Sequence, residues 1–286
     1  MRIDLHTHSS VSDGTLGPAE VMAAAAAAGL DVVALTDHDT TAGWAAAGQA
    51  LPAGLTLVRG AELSCRWYPS SGDSIALHLL AYLFDPGHEP LVAELTRLRE
   101  SRTGRAQRMV DLLRADGIDV TWEEVRGYAA GGTVGRPHLA RALIRAGHAT
   151  TVADAFAPAL LGERYRLPKA DVDVFTAVRL VREAGGVAVF AHPRATVRGR
   201  TVPDALIVEL AAAGLFGLEA DHTDHTDAER AHVRALAADL GLVVTGSSDF
   251  HGANKTVQLG ACTTAPEVYE RLVDAATGTA PMVCHT

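Results

Sequence analysis

The sequence predicts an α/β fold built on a mainly parallel sheet. Short apolar runs alternate with helical patterns along most of the chain, which is typical of strand–helix units around such a sheet. The 286 residues, 48% of them hydrophobic, suffice for one large domain or two smaller ones. The seven strands that we predict would fit a barrel one unit short of the (β/α)8 type.

The strands are predicted where apolar and β-branched residues are concentrated. A first helix is expected between the first two strands, because Pro18 suits its first turn, alanines fill 23–28, and Gly29 supplies a left-handed stop. The predicted strands cover residues 2–8, 32–37, 55–63, 74–83, 187–192, 215–221 and 242–248.

Residues 88–170 interrupt this alternation, because helical patterns broken by glycine and proline replace the strand-like runs. We therefore divide the chain into a barrel domain, residues 1–87 and 171–286, and an inserted helical subdomain, residues 88–170. The expected helical features of the insertion are one or two helices over 89–115, a capping box at 121–124, and helices over 137–146 and 151–161.

Charge is distributed unevenly along the chain, although the formal net charge is −9. Residues 97–200 contain 18 basic and 11 acidic residues, a balance of +7 that leaves −16 for the remainder. The basic stretch includes most of the insertion. The acidic average therefore does not exclude a negatively charged ligand.

The sequence favours a cytoplasmic protein without a membrane span. Its most apolar stretch, residues 21–35, is interrupted by polar residues and is shorter than the roughly 20 residues that cross a bilayer. The cysteines Cys65, Cys262 and Cys284 are far apart, which suits reduced thiols better than a disulfide framework. A predicted strand beginning at Arg2 leaves no room for a signal peptide.

Histidines and carboxylates collect near the ends of the predicted strands. His6 and His8 alternate along the first strand, so both side chains leave one face about 6.6 Å apart. Most of the others follow an apolar strand, at the rim where parallel barrels assemble active sites. Such a donor set suits manganese, iron or zinc better than magnesium or calcium, and is enough for two or three ions. The candidate metal ligands are His6, His8, Asp13, His38, Glu62, His78, His192, Asp249 and His251.

The motifs HTHSSVSDG, LTDHDT, GAELSC, FAHP and SSDFH, with the lone His78, stand in the order typical of PHP-domain proteins, the polymerase and histidinol phosphatase superfamily. The chain resembles this family over its strands, apart from the insertion. The resemblance implies a distorted (β/α)7 barrel with a trinuclear site. It implies one metal at His6, His8, Glu62 and Asp249, a second shared by Glu62, His78 and His192, and a third at Asp13, His38 and His251.

Within the superfamily, the insertion segments GRPHLARAL and RTGRAQRM are similar to a branch with two known activities. That branch includes 3′,5′-nucleoside bisphosphate phosphatases and the 5′–3′ exoribonuclease called RNase AM. The resemblance implies hydrolysis of nucleotide phosphoesters, with removal of the 3′-phosphate of a bisphosphate as the leading hypothesis. Exonucleolytic cleavage of RNA or oligonucleotides, and a general small-molecule phosphatase, stay open. A non-catalytic module is disfavoured because all nine ligand positions are filled.

The chemistry of divalent ions supports phosphoester hydrolysis independently. Adjacent ions can lower the pKa of a bound water, hold the resulting hydroxide in line with phosphorus, and neutralise the leaving oxygen. Arg102 and Arg105 share a face of a predicted helix and could form a fork around one phosphate. Arg136 follows Thr133 and two glycines, whose backbone N–H groups can approach an anion. We therefore expect these four residues to bind substrate.

Three further polar residues accompany the predicted ligands. Asp37 and Asp39 flank His38 and could orient its ring, as metal-bound imidazoles usually require. His222 follows the sixth strand and could act as a general acid, partner a metal ligand, or be an ordinary loop residue. The expected partner is a small nucleotide phosphate, or else RNA or an oligonucleotide. No membrane and no obligatory protein partner is inferred.

Overall fold

A barrel-shaped sheet forms the centre of the protein, seen in a computed structural model that describes residues 1–129 and 131–284. The sheet order is β1-β2-β3-β4-β6-β7-β8, and the two-residue strands β5 and β9 both pair with β3. The predicted fold class, a distorted seven-stranded barrel with a helical insertion, is confirmed. The strands are β1 (Ile3–Thr7), β2 (Val32–Leu35), β3 (Thr56–Trp67), β4 (Ile75–Tyr82), β5 (Val172–Asp173), β6 (Val187–Phe190), β7 (Gly217–Asp221), β8 (Val243–Gly246) and β9 (Met282–Val283).

The barrel is parallel except at β4, which runs antiparallel to both of its neighbours, β3 and β6. The first and last strands of the order approach each other just past their carboxyl ends. Thr7 forms a parallel bridge with Phe250, and the His8 amide donates to the Phe250 carbonyl at 2.9 Å. These contacts nearly close the barrel and place the ends of β1 and β8 side by side.

The third strand is longer than predicted. It continues to Trp67, because its second half pairs with β4 in an antiparallel ladder that sets Glu62 opposite Leu80 and Ser64 opposite His78. The expectation that Glu62 ends this strand is therefore wrong. Since side chains alternate along a strand, Glu62, Ser64 and His78 project from the same face of the sheet.

Helices cover the outside of the sheet and form the insertion. As expected, α1 has Pro18 as its first residue, and Gly29 follows its end with a left-handed φ of 71°. Among the described residues, no helix combines the length and apolarity needed to cross a membrane. The α-helices are α1 (Pro18–Ala27), α2 (Trp44–Gln49), α3 (Glu89–Ala115), α4 (Trp122–Ala129), α5 (Arg136–Arg145), α6 (Val152–Ala155), α7 (Val174–Glu183), α8 (Asp204–Ala212), α9 (Asp227–Leu240) and α10 (Pro266–Ala275).

The insertion matches its predicted helices except at the last one. α3 is a single helix of 27 residues, and the Glu124 amide at the start of α4 donates to Thr121 Oγ1 at 3.2 Å. The helix predicted over 151–161 is wrong, because α6 ends at Ala155. A proline favours an extended conformation in the residue before it, and Ala157, which precedes Pro158, is extended with ψ 152°. This extended residue ends the helical path, and residues Pro158–Gly162 form a separate π turn.

The insertion has a hydrophobic cluster of its own. Met109 and Leu113 of α3 pack there with Val125 of α4 and with Leu139 and Leu143 of α5, all buried. The barrel buries separate clusters between its strands and outer helices. A subdomain that is inserted into another domain needs a hydrophobic core of its own, and this cluster meets that requirement. The boundaries of the insertion at residues 88 and 170 stay a prediction.

Candidate metal centre

One end of the barrel brings all nine predicted metal ligands together. β1 supplies His6, and His8 and Asp13 follow it in the next loop. The ends of β2, β6 and β8 supply His38, His192, Asp249 and His251, while β3 and β4 supply Glu62 and His78 from within the strands. All except His78 and His192 are less than a tenth exposed. The strand-end pattern predicted this convergence because parallel strands end on the same rim.

The Glu62 carboxylate is the hub of the cluster. One oxygen, Oε2, lies 3.1 to 3.2 Å from ring nitrogens of His6, His8 and His38. The other, Oε1, lies 2.7 Å from His78 Nδ1 and 3.2 Å from His192 Nε2. Each oxygen therefore faces a different set of imidazoles, which is the arrangement of a carboxylate that can bridge two ions.

Donor atoms group into three places where an ion can be held. The first group contains His6, His8 and Asp249, and the second contains His38, Glu62 and His78. The third group contains His8, Asp13, His38 and His251. His8 and His38 each belong to two groups, so the three places are adjacent rather than separate sites.

Unsatisfied donor atoms show that the residues fit metal ions. Within the described chain, His38 Nδ1, His78 Nδ1 and Asp249 Oδ1 are buried without a hydrogen bond of acceptable geometry. Leaving such atoms unpaired costs about 1–3 kcal/mol each. Six imidazoles and three carboxylates are also ligands that divalent transition metals accept. Bound cations would satisfy these atoms.

Backbone strain is concentrated at two of the predicted ligands. His192 has φ 34° and Asp249 has φ 53°, in the left-handed region that non-glycine residues seldom adopt. Each such residue costs on the order of 1–3 kcal/mol and persists only where its surroundings enforce it. The strain places both side chains at the shared end of the barrel.

The three carboxylates and His192 are held in the protonation states that bind metal, whereas at His6 and His8 the neighbouring carboxylates outweigh burial and raise the pKa. Burial alone would raise the pKa values of Asp13, Glu62 and Asp249, but the surrounding histidines, with Lys255 at Asp249, hold all three well below their ordinary range. Burial, reinforced by Arg198, lowers the pKa of His192 to about 3. Ionised carboxylates and neutral imidazoles are the forms that bind metal.

The insertion contributes a cationic pocket, which we define as the buried Arg105 and Thr133 and the partly buried Arg136. Burial, together with neighbouring arginines, lowers the pKa of Arg105 to about 9 and that of Arg136 to about 10. Arg105 Nε and Thr133 Oγ1 are buried without hydrogen-bond partners in the described chain. A Cβ added at Gly135 would lie 3.8 Å from Asp13 Oδ2, so the pocket adjoins the ligand cluster.

Comparison with known proteins decides the family. A family model described as the PHP domain matches residues 4–117. The chain is 36% identical over 253 residues to the 3′,5′-nucleoside bisphosphate phosphatase of Chromobacterium violaceum, covering 87% of both proteins. It is 34% identical over 262 residues to the 5′-3′ exoribonuclease of Haemophilus influenzae, covering 91% of this chain and 93% of that one. The chain belongs to the PHP-domain family.

A solved structure agrees with this assignment. A provisionally named metal-dependent phosphoesterase of Bifidobacterium adolescentis superposes with a TM-score of 0.88 at 33% identity, covering 96% of each chain. The predicted family is therefore confirmed, and with it the predicted class, an enzyme that is a metal-dependent phosphoesterase.

Glu219 of this PHP-domain protein is a buried partner of the predicted ligands that the sequence analysis missed. It lies in β7 and accepts hydrogen bonds from His6 Nδ1 at 3.0 Å, from the His192 amide at 2.8 Å, and from the Ser247 hydroxyl. Its contact with Nδ1 directs His6 Nε2 toward Glu62 and Asp249. A glutamate inside the apolar run LFGLEAD was the available signal.

Asp37 and Asp39 act differently from the prediction. Asp37 accepts hydrogen bonds from the Ser9 amide at 2.8 Å and from the Ser12 hydroxyl at 2.6 Å. Asp39 binds Ser64 and Arg102. No hydrogen bond joins either carboxylate to the His38 ring, so the prediction that they orient it directly is wrong. Asp37 instead fixes the loop after β1, and Asp39 ties the turn that carries His38 to β3 and α3.

The same contacts correct the role predicted for Arg102. Its Nε donates to Asp39 Oδ2 at 2.5 Å and its second terminal nitrogen donates to Ser64 Oγ at 2.7 Å. Arg102 and Arg105 therefore do not form the predicted fork around one phosphate, because Arg102 is held by protein groups. Helical spacing placed both arginines on one face without showing what that face contacts.

Asp249 is surrounded by three groups that can donate hydrogen bonds to its Oδ2 atom. Arg198 lies 2.5 Å away, Lys255 2.6 Å and His222 Nε2 3.3 Å. Because His222 Nδ1 accepts from the Asp224 amide at 2.9 Å, the ring proton is on Nε2 and points at Asp249. Arg198 and Lys255 were missed, since their loops approach Asp249 only in the folded chain.

Proposed function

We propose that this phosphoesterase removes the 3′-phosphate of nucleoside 3′,5′-bisphosphates. The observation that carries the proposal is the adjacency of the nine clustered residues and a cationic pocket whose arginines form no ion pair with any carboxylate of the described residues. A substrate with two phosphates would use both features, one phosphate at each. The identity to the bisphosphate phosphatase of C. violaceum over 87% of the chain supports the same substrate class.

We assign the nine clustered residues as ligands of two or three divalent ions. The mixture of imidazole and carboxylate makes Mn²⁺ our first choice, with Fe²⁺ or Zn²⁺ next. Glu62 would bridge ions, because its two oxygens face different histidines. When bound, such ions supply Lewis acidity toward a phosphoryl oxygen and lower the pKa of a water molecule.

The chain's own residues orient this chemistry. Glu219 fixes the tautomer of His6, and His222 Nε2–H donates a hydrogen bond to Asp249 Oδ2, which leaves Asp249 Oδ1 facing His6 and His8. Because that proton is already engaged, we assign His222 to orienting Asp249 rather than to protonating the leaving oxygen. Arg198 and Lys255 are each about a third exposed and place positive charge where phosphoryl oxygens would approach.

The cationic pocket would bind the phosphate that is not cleaved. Arg105 is buried and Arg136 is partly buried, and hydrogen bonds from charged groups in such positions to an anion are stronger than in water. Thr133 offers a buried hydroxyl with no other partner in the described chain. The Thr133 amide is itself bound to the Val11 carbonyl at 2.7 Å, which ties the pocket to the ligand loop.

Exonucleolytic cleavage of RNA is the second candidate function. An open cavity of about 430 Å³ lies beside the pocket, between the ligand loops and α3, and Thr40, Arg99, Thr103 and Gly132 are among its lining residues. Such a space could accept further nucleotides of a strand. The 34% identity to the exoribonuclease of H. influenzae also favours this alternative.

We propose a cytoplasmic location and no obligatory protein partner. The three cysteines support the location, since all are free thiols and Cys65 is buried away from the other two. Reduced thiols are typical of proteins from reducing compartments.

A substrate comparison tests the proposal. The purified protein, reloaded with Mn²⁺ after chelation, should release phosphate from adenosine 3′,5′-bisphosphate faster than mononucleotides from a 5′-phosphorylated RNA pentamer. Asp249→Asn should lose at least about 10²-fold in turnover, the scale of removing one group that stabilises developing charge. His148→Ala is the control, because this histidine is exposed and far from the cluster in the insertion.

The two candidate functions give opposite results in this assay. Preference for the pentamer, with a rate that falls steeply as salt rises, would replace the phosphatase by the nuclease, because each phosphate bound along a strand releases counterions. Equal turnover in wild type and Asp249→Asn would contradict both.

A further inference from the structure

Arg102 differs from Arg105 because its buried guanidinium is bonded to protein groups. It is 5% exposed and lies on α3, yet its side chain reaches into the barrel. Its Nε bonds Asp39 at 2.5 Å, and a terminal nitrogen bonds the Ser64 hydroxyl at 2.7 Å. Arg105, one turn along, has a buried Nε with no partner in the described chain.

Both partners of Arg102 adjoin predicted metal ligands. Asp39 directly follows His38, and its amide donates to the Glu62 carbonyl at 3.0 Å. Ser64 follows Glu62 by two residues in β3, so the two side chains project from the same face. Asp39 also bonds the Ser64 amide at 2.7 Å and the Ser64 hydroxyl at 2.8 Å. Arg102, Asp39 and Ser64 therefore form one closed network behind two ligands.

The network holds a strained residue. Asp39 has φ 56°, a left-handed conformation that its surroundings must enforce. Arg99, three residues before Arg102 on α3, donates to the Asp39 carbonyl at 2.9 Å. Two arginines of one helix thus fix both the side chain and the backbone of Asp39. Helix α3 of the insertion therefore fixes the conformation of the turn that carries His38.

Charge reinforces this arrangement. The Asp39 carboxylate is fully buried, and its Oδ2 atom pairs with Arg102 Nε at 2.5 Å. Arg102 is therefore the hydrogen-bonded cation of a buried carboxylate. Removing either partner would leave an uncompensated buried charge beside His38.

We propose that Arg102 is a positioning residue of the metal centre, through which the helical insertion sets the placement of His38 and Glu62. The proposal rests on the ligand set assigned under the proposed function. It gives the insertion a second task, because the same helix then supports metal binding through Arg102 and substrate binding through Arg105.

Metal affinity measured without substrate tests this proposal. Metal-free protein is titrated with Mn²⁺, and free Mn²⁺ is followed by electron paramagnetic resonance, with bound metal counted by mass spectrometry. Arg102→Met should weaken binding of at least one ion about 10–100-fold, the usual effect of removing a partner of a metal ligand. Arg105→Met is the matched control, with wild-type Mn²⁺ affinity and a raised KM.

A double-mutant cycle makes the test specific. Asp39→Asn keeps the volume of the side chain but loses the ion pair, so it should weaken Mn²⁺ binding as Arg102→Met does. Because the two residues act as one unit, the double variant should bind Mn²⁺ little more weakly than either single variant. Circular dichroism of the metal-free proteins reports folding, and Arg102→Lys, which keeps the charge, replaces Arg102→Met if that variant fails to fold.

Two results would overturn the proposal. One is Arg102→Met, or Arg102→Lys in its place, with wild-type Mn²⁺ affinity and a raised KM, which would make Arg102 a substrate-binding residue. The other is strictly additive weakening in the cycle. Wild-type protein that binds no Mn²⁺, Fe²⁺ or Zn²⁺ would instead contradict the ligand set itself, before any variant is examined. Absence of bisphosphate hydrolysis with intact Mn²⁺ binding would contradict only the substrate assignment.

Discussion

Replacing Arg105 by methionine should stabilise the metal-free protein while removing its ability to bind an anion. The side chain is 7% exposed, its Nε has no partner in the described chain, and other arginines surround it. A pKa of about 9, against the ordinary 12.5, corresponds to about 5 kcal/mol of unfavourable free energy for the charged form. Methionine fills a similar volume without that cost.

We expect only part of this free energy to appear as stability. Replacing buried charges by apolar residues of similar volume typically gains about 1–4 kcal/mol. At about 2–4 °C per kcal/mol for chains near this length, Tm should rise by roughly 5 °C. Phosphate at 100 times its Kd should largely offset this gain, since it adds about 2.7 kcal/mol to the stability of the wild type and nothing to that of the variant.

The assay is urea unfolding in the presence of a chelator, with and without inorganic phosphate. Arg108→Met is the control, because Arg108 is exposed on the same helix and its loss should change stability by less than about 0.5 kcal/mol. A variant that is less stable than wild type without phosphate, or that phosphate still stabilises equally, would refute the assignment of Arg105 to an anion pocket.

Three further outcomes can be checked on the same protein. Glu219→Gln should weaken Mn²⁺ binding about 10–100-fold in a chelator competition, because the His6 ring loses its orienting carboxylate. Burial alone would lower the pKa of His8, but Asp249 and Glu62 outweigh burial and raise it to about 9. His8 should therefore add up to about 3 kcal/mol to the stability of the metal-free protein below pH 6.5, and this contribution should vanish by pH 9. That loss, followed by urea unfolding, should be absent in His8→Gln. Gly132→Ala should cost about 1–3 kcal/mol in the same assay, since the new Cβ would lie 2.3 Å from the Val11 carbonyl oxygen, whereas Gly127→Ala in α4 meets no atom within 4 Å and should be neutral or stabilising.

The convergence of the nine candidate residues could be predicted because strand ends can be recognised in a sequence. His6 and His8 show the period of a strand, and His38, His192 and Asp249 each follow an apolar run. The carboxyl ends of parallel strands lie on the same side of a barrel, so residues that follow different strands in the sequence are expected to lie close together in the fold. Glu62 was correctly expected near the other residues even though β3 continues beyond its predicted end, because the face of the sheet from which Glu62 projects does not depend on where the strand ends.

Residues that support the cluster could not be predicted in the same way. Arg198 and Lys255 stand on loops, and their contact with Asp249 depends on how those loops cross the barrel mouth. Arg102 shows the same limit on a helix, because spacing reveals a shared face but not the carboxylate that the face meets. Glu219 and Pro158 were different, since a charged residue inside an apolar strand and a proline inside a helical pattern were both visible.

We propose that the nine clustered residues hold the divalent ions of a phosphoesterase. Anomalous diffraction from crystals of the Mn²⁺-loaded protein, recorded at the manganese absorption edge, is the decisive experiment. We expect two or three peaks at the end of the barrel where these residues meet, within ligand distance of His6, His8 and Asp249, of Glu62 and His78, and of Asp13 and His251. A fully loaded crystal with no peak among these residues would contradict it.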